Sequence, residues 1–145
     1  MKKESVLVFS GKNIGTFYKD GGIAYWRADQ KHIKNCQYVF VIRNLNHKGQ
    51  WSQTEDDYVH GQVYLVGRVL GAKMSEQKWD ENGQKVDDRI IIQVSQYALL
   101  PHEEKYLNAW KKLTNGRQNP VAYFDTQEII KNLSVDLNRL LWQDF

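Results

Sequence analysis

"QYVFVIRNL", Gln37 to Leu45, concentrates aromatic and β-branched residues and then runs into a cluster of Asn44, Asn46 and Gly49. Side chains that are branched at Cβ or carry rings favour a pleated backbone, and the Asn/Gly cluster favours a turn, so a strand is predicted here. "GQVYLVGRVLGAKM", Gly61 to Met74, predicts a second strand, in which Gly67 marks a bulge or a close backbone approach. "DDRIIIQVSQYALLP", Asp87 to Pro101, predicts a third, alternating after Ile92 and stopped by Pro101. The connections are too short for crossover helices, which makes the three antiparallel neighbours.

Outward from this core, "ESVLVFSG", Glu4 to Gly11, reads as a short buried strand ended by glycine. After the Gly21-Gly22 turn, "RADQKHIKN" has good helix formers with Asp29 in its first turn, enough for one or two helical turns. "PHEEKYLNAWKKLTNG" predicts a helix from Pro101 to Asn115-Gly116, with Tyr106, Leu107, Trp110 and Leu113 on one face. "DTQEIIKNLSVDLNRLLWQDF" follows, with Asp125 or Thr126 as N-cap and Ile129, Ile130, Leu133, Leu137, Leu140 and Leu141 at helical spacing, and with a break near Ser134-Val135. The sum is an α+β chain: a small curved sheet, mixed or antiparallel and barrel-like, flanked by helices.

The chain has 145 residues, ordinary hydrophobic and charged fractions and only two prolines, which fits one compact domain over residues 1–145 without a linker. The N-terminal apolar run is too short for a signal segment or a membrane span, so a cytoplasmic protein is expected. The lone Cys36 reads as a buried structural thiol, with no C-x-x-C partner or basic cluster to activate it. A net charge of +3 permits a polyanionic partner without requiring one, and the lysines and arginines, Lys12, Lys31, Lys34, Arg43 and Arg68 among them, are scattered.

No nucleophile elbow, Walker loop, dinucleotide fingerprint or zinc-ligand pair is present. His32, His47, His60 and His102 read as separate surface or loop residues, and neither a metal nor a cofactor is expected. The acidic pairs Asp56-Asp57 and Asp87-Asp88 invite a nuclease reading, since clustered carboxylates hold Mg²⁺. Ile91 and Gln93 stand where an E-x-K element would fall, so solvated loop charge is the preferred reading. The five tryptophans are more informative. Trp110 and Trp142 fall on helical apolar faces and belong to the core, whereas Trp26, Trp51 and Trp79 sit among polar residues where an indole can stack on a base.

Several segments together resemble the PUA-like superfamily, and within it the EVE and YTH domains that bind modified bases. "GGIAYWRADQKHIKNCQYVFVIRN" is similar to the segment where those families place a cage tryptophan before a short helix and a strand. "GQVYLVGRVLGAKM" resembles their glycine-containing central strand. "SEQKWDENGQKVDDRIIIQVSQYALLP" is similar to a Q-x-K-W loop leading into a strand that ends at proline, and "GRQNPVAYFDTQEII" to N-K-P-V followed by D-T-Q-E. The likeness spans roughly residues 20–142. It departs at Tyr25-Trp26-Arg27-Ala28, where the usual wording around the cage differs, and in the longer, more acidic insertion "NLNHKGQWSQTEDDYVH".

The resemblance implies a PUA-like pseudo-barrel and a nucleic-acid-binding module, without catalysis of its own, that holds a methylated base of DNA or RNA in an aromatic cage. Trp26 matches the first cage position and Trp79 the second, with Tyr25 and Trp51 as further cage candidates. Arg27, Arg43, Asn44 and Asp125 are candidates for base or phosphate contacts, and Asp125 matches the acid of D-T-Q-E. Gly21 and Gly22 are expected to let the backbone approach the ligand. A separate effector protein is an expected partner. Two rivals stay open: an ASCH-like hydrolase or nuclease using Asp87, Asp88 and Lys85 or Lys78, and a protein-binding module anchored by exposed tryptophans.

Overall fold

In a computed structural model, residues 3–45, 57–76, 83–84 and 89–145 are described. The three strands read from the centre of the chain form β3 (Tyr38–Arg43), β4 (Val63–Met74) and β5 (Ile90–Leu99), antiparallel neighbours as expected. Four more strands join them: β1 (Glu4–Ser10), β2 (Ile23–Trp26), β6 (Val121–Asp125) and β7 (Gln143–Asp144). The curled sheet runs β2-β5-β4-β3-β1-β6, with β7 paired to β5, and short helices flank it. β1 pairs parallel with β3 and antiparallel with β6.

Alternation along the central strands sends side chains to two faces. Val6, Val8, Val39 and Val41 pack with Phe17, Ile23, Trp26 and Ile92 on one face, and Leu7, Phe40 and Ile42 pack with Trp110, Ile129 and Leu133 on the other. Gly67 is a site of close approach, as its position in the run implied: a Cβ there would lie 2.7 Å from Val94 Cγ1 and 3.0 Å from Val39 Cγ1. A register shift follows between Arg68 and Val69. Cys36 is fully buried, with its thiol directed at the His32 carbonyl.

The helices are α1 (Ile14–Asp20), α2 (Gln30–Lys34), α3 (Ala109–Thr114) and α4 (Thr126–Leu133). Asp29 is not inside the first turn of α2 but is its N-cap, accepting from the Lys31 N–H. Asp125 caps α4, and Ser134, in the left-handed region, ends it at the expected break. The single helix expected from Pro101 is instead a 3-10 turn over Glu104–Tyr106 and then α3, because Asn108 adopts positive φ between them. Leu107 is consequently exposed while Tyr106 and Trp110 are buried. Leu141 is likewise exposed at 84%, since the chain leaves helical geometry before it to place Trp142, half-buried, beneath the Arg68 guanidinium.

Two phenols, the buried Tyr97 and the half-buried Tyr123, tie stability to alkaline pH. Tyr97 is pushed up to about 12, chiefly by its hydrogen bond with the Tyr18 hydroxyl and then by burial. Tyr123, stacked on His32, is also raised to about 12, by burial first and then by Cys36, Asp29 and Glu4. Both values exceed the unfolded value of about 10, so between these limits the folded chain retains protons that the unfolded chain has lost. Their contribution is complete below about pH 10 and is lost as pH rises toward 12. The denaturant midpoint is expected to fall between about pH 10 and 12, and less steeply in Tyr123→Phe; a flat midpoint in the parent contradicts the assignment.

Candidate ligand-binding cleft

The segment "SGKN", Ser10 to Asn13, leaves β1 and turns into α1, which Asn13 caps by accepting from the Thr16 N–H. Lys12 lies at this corner, 8% exposed. Two donors meet at its carbonyl: Arg43 Nη1 at 2.7 Å and the Tyr64 hydroxyl. Arg43 is fully buried, its guanidinium 4.0 Å from the centroid of the Tyr64 ring. With its backbone clamped, Lys12 extends its ammonium to Asp20 Oδ2 at 2.8 Å, 4.5 Å from the centroid of the Tyr25 ring.

Asp20 ends α1, and Gly21 closes the helix in the left-handed region at φ 80°. Gly22 then passes close against β5 so that β2 can pair there. The pairing steps from Ala24↔Ile91 to Trp26↔Ile90, which leaves Tyr25 as the extra residue of a bulge. A bulge re-aims the side chains around it. Trp26 goes into the core and Tyr25 to the wall of a cleft.

That cleft encloses about 270 Å³ and is lined by Asp20, Tyr25, Lys73, Met74, Ser75, Glu76 and Ile91. Its volume lies near the lower end of the roughly 300–1,000 Å³ typical of ligand pockets. Met74 and Ile91 offer apolar surface, Lys73 and Glu76 stand at the exposed rim, and Ser75 is buried with its N–H on the Arg89 carbonyl at 2.9 Å. The Tyr25 hydroxyl points to Asp20 Oδ1 at 3.4 Å. Burial, the Asp20 charge and this hydrogen bond, in that order, raise the Tyr25 pKa and keep the phenol a neutral donor.

The structure redistributes the residues expected from sequence. Tyr25 lines the cleft, but Trp26 is 7% exposed, with its indole N–H donated to the Ile23 carbonyl at 3.0 Å. In this arrangement Trp26 is a foundation for β2 and not a stacking face. Arg43 is sealed from solvent and cannot reach a phosphate; it positions Lys12 instead. Asn44 is half-buried beyond the end of β3 with its N–H on the Ser10 carbonyl, and Asp125 spends a carboxylate oxygen on capping α4 at 2.9 Å. Arg27 is exposed one residue beyond β2. Gly21 and Gly22 serve the helix end and the sheet, not an approaching ligand.

Trp51, Trp79, Lys78, Lys85, Asp56, Asp87, Asp88 and His47 lie outside the described residues. Among those described, His32, His60 and His102 occupy separate places, and no group of three or more His, Cys, Asp or Glu side chains is arranged to hold a metal ion. No described helix is long and apolar enough to cross a membrane. The Lys12–Asp20 pair has no sequence signal, because an eight-residue separation carries no motif and only the α1 turn brings the two together. No family model, curated protein or solved structure matches this chain.

Proposed function

We propose that this chain is a nucleic-acid-binding module that receives a methylated base in the cleft beside Tyr25 and performs no chemistry on it. One observation carries the reading: a bulge in an edge strand turns a half-buried aromatic ring into a small cleft that also offers apolar Met74 and Ile91 and the polar groups of Asp20, Ser75 and Glu76. An unpaired or flipped base needs this combination, a ring or apolar surface against its face and polar groups at its edge. The sequence resemblance to EVE and YTH domains supports the same reading, with Tyr25 replacing Trp26 as the stacking residue. Trp79 and Trp51 remain the cage partners expected from sequence.

Titration of tryptophan fluorescence with short single- and double-stranded oligonucleotides, matched except for one methylated adenine or cytosine, tests the proposal. A modified strand is expected to saturate the signal at least tenfold below its plain twin. Base–aromatic stacking contributes about 1–3 kcal/mol, so Tyr25→Ala is expected to weaken the modified strand by roughly ten- to a hundredfold. Trp79→Ala is expected to do the same. Equal binding of modified and plain strands by the parent, or undiminished affinity in a folded Tyr25→Ala protein, refutes the reading.

A further inference from the structure

Beyond the cleft, β4 and β5 continue as a paired arm that presents two unspent cations. Ala72, Ile92 and Val94 turn to the side of the sheet that holds Trp26. Alternation sends Lys73, Gly71 and Arg68 of β4, with their partners Ile91, Gln93 and Gln96 of β5, to the opposite side. Trp110 of α3 and Ile129 of α4 pack on that side as far as Val66. From there to the cleft, Arg68 and Lys73 are exposed, and Gly71, Gln93 and Gln96 are half-buried. Among the described residues the Arg68 guanidinium makes no ion pair and no side-chain hydrogen bond; it lies 4.2 Å from the centroid of the Trp142 ring. An indole against one face fixes the guanidinium plane and leaves its fork of N–H donors for a second group. Lys73 likewise has no ion pair among the described residues. Carboxylates stand outside this stretch: Asp20 and Glu76 line the cleft, and Asp144, two strands from Arg68, accepts from Gln96 Nε2 at 3.2 Å.

We infer that this arm carries the nucleic-acid strand away from the cleft, with one flanking phosphate on Lys73 and another, farther along, on the Arg68 fork. Five positions of β4 separate the two cations, at most about 17 Å of extended chain, which a few nucleotides can span. The guanidinium, held flat by Trp142, suits two-point contact with a phosphate, and the lysine supplies a point charge. Between them Gly71, Gln93 and Gln96 offer an uncharged floor. The inference rests on the modified-base reading and divides the work of binding: the cleft distinguishes bases, and the arm adds affinity that is independent of sequence. Nothing in the sequence marks Arg68 for this role, because Trp142, which orients it, lies 74 positions away and meets it only through the return of the chain along β5.

The test uses the full chain, a single strand of about ten nucleotides with one methylated base, its plain twin, and the methylated nucleoside alone, which has no phosphate. Each phosphate contact contributes about −0.7 to the slope of log affinity against log salt, so Arg68→Gln is expected to flatten the slope for both strands by about 0.7. At low salt Arg68→Gln is expected to weaken the modified and plain strands by the same factor, about tenfold, and to leave the nucleoside unaffected. Arg68→Lys keeps the charge without the planar fork, and is expected to retain the slope but only part of the affinity. Lys73→Gln is expected to flatten the slope as Arg68→Gln does. A parental slope in a folded Arg68→Gln protein, or an equal loss for nucleoside and strands, overturns the inference while the reader function stands. Binding of neither strands nor nucleoside by the parent overturns both.

Discussion

Gly22→Ala is expected to cost about 3 kcal/mol or more of folding stability, at the upper end of what overpacking a close contact costs. A Cβ at this position would lie 2.5 Å from the Ile92 carbonyl oxygen, 2.7 Å from Ile91 Cγ2 and 3.2 Å from the Ile92 carbonyl carbon. Two of the three are backbone atoms of β5, and they cannot retreat without undoing the Ile23↔Ile92 and Ala24↔Ile91 pairing that holds β2 on the sheet. Gly21 is the control, since a methyl group there would meet nothing within 4 Å and its φ of 80° is the only obstacle. Gly21→Ala is therefore expected to cost about 1–2 kcal/mol, the penalty of the left-handed region alone. Urea denaturation of both variants checks the contrast. A Gly22→Ala midpoint equal to that of Gly21→Ala would mean that β2 does not lie against β5 as described.

Arg43→Ala is expected to be comparably severe. The side chain is fully buried, spans the space over the Tyr64 ring and donates to the Lys12 carbonyl. Truncating a large buried side chain costs about 2–5 kcal/mol through lost contacts and the cavity left behind, and the lost charge-assisted hydrogen bond, worth about 1.5–3 kcal/mol, lies within the same change. We expect a loss of about 4 kcal/mol. Arg43→Met separates the contributions because it fills most of the volume without a donor, and about half of the loss is expected. For a chain of this length each kcal/mol lowers the melting temperature by roughly 2–4 °C, so thermal unfolding resolves the two variants. If Arg43→Met is as stable as the parent, the donor to Lys12 contributes nothing to the corner and Arg43 acts only by filling space.

How much of this is legible in sequence depends on length and locality. β3, β4 and β5 are long runs of β-branched and aromatic residues bounded by turn formers, and they stand where the sequence puts them. The same holds for the Asp125 cap and the break at Ser134, each set by residues within a few positions, and for Gly67, where a glycine inside a strand run marks a close approach although the side chains it meets, Val39 and Val94, are remote in sequence. β2 and β6 are four and five residues long, about two repeats of the strand period, too few to stand out from their surroundings. α1 contains Gly15 and the β-branched Thr16, weak helix formers that only an Asn13 cap and the burial of Phe17 rescue. The parallel pairing of β1 with β3 is a non-local contact without a sequence signal.

The candidate cleft takes Tyr25, one of the expected cage residues, and leaves out its neighbour Trp26 for a related reason. Tyr25 and Trp26 are adjacent aromatics, and alternation alone assigns them to opposite faces without saying which faces inward. A bulge decides it, and the bulge depends on the register against β5, which no local motif encodes. Arg43 reads as available for a phosphate because it ends a strand. Its burial follows from the corner at Lys12, whose carbonyl has the Arg43 and Tyr64 donors converging on it.

β1 lies between two strands that reach it by very different routes. Its partner β6 returns from far along the chain, so that the Ser5 and Thr126 hydroxyls, 121 positions apart, meet at 2.7 Å. Its other partner, β3, is reached only after the chain has passed through α1, β2 and α2, the excursion that contains Lys12, Asp20 and Tyr25. Closing such long loops is entropically costly before the contacts they enable are made, so the place of this strand depends on partners remote in sequence on both sides. One wall of the cleft, Asp20 and Tyr25, is therefore assembled inside the crossover of the parallel pair, while Lys73 to Glu76 and Ile91 supply the other from the β4 and β5 side. A mutation that loosens the corner at Lys12 is felt in the centre of the sheet, so a change to this wall of the cleft draws on the same free energy that keeps the chain folded.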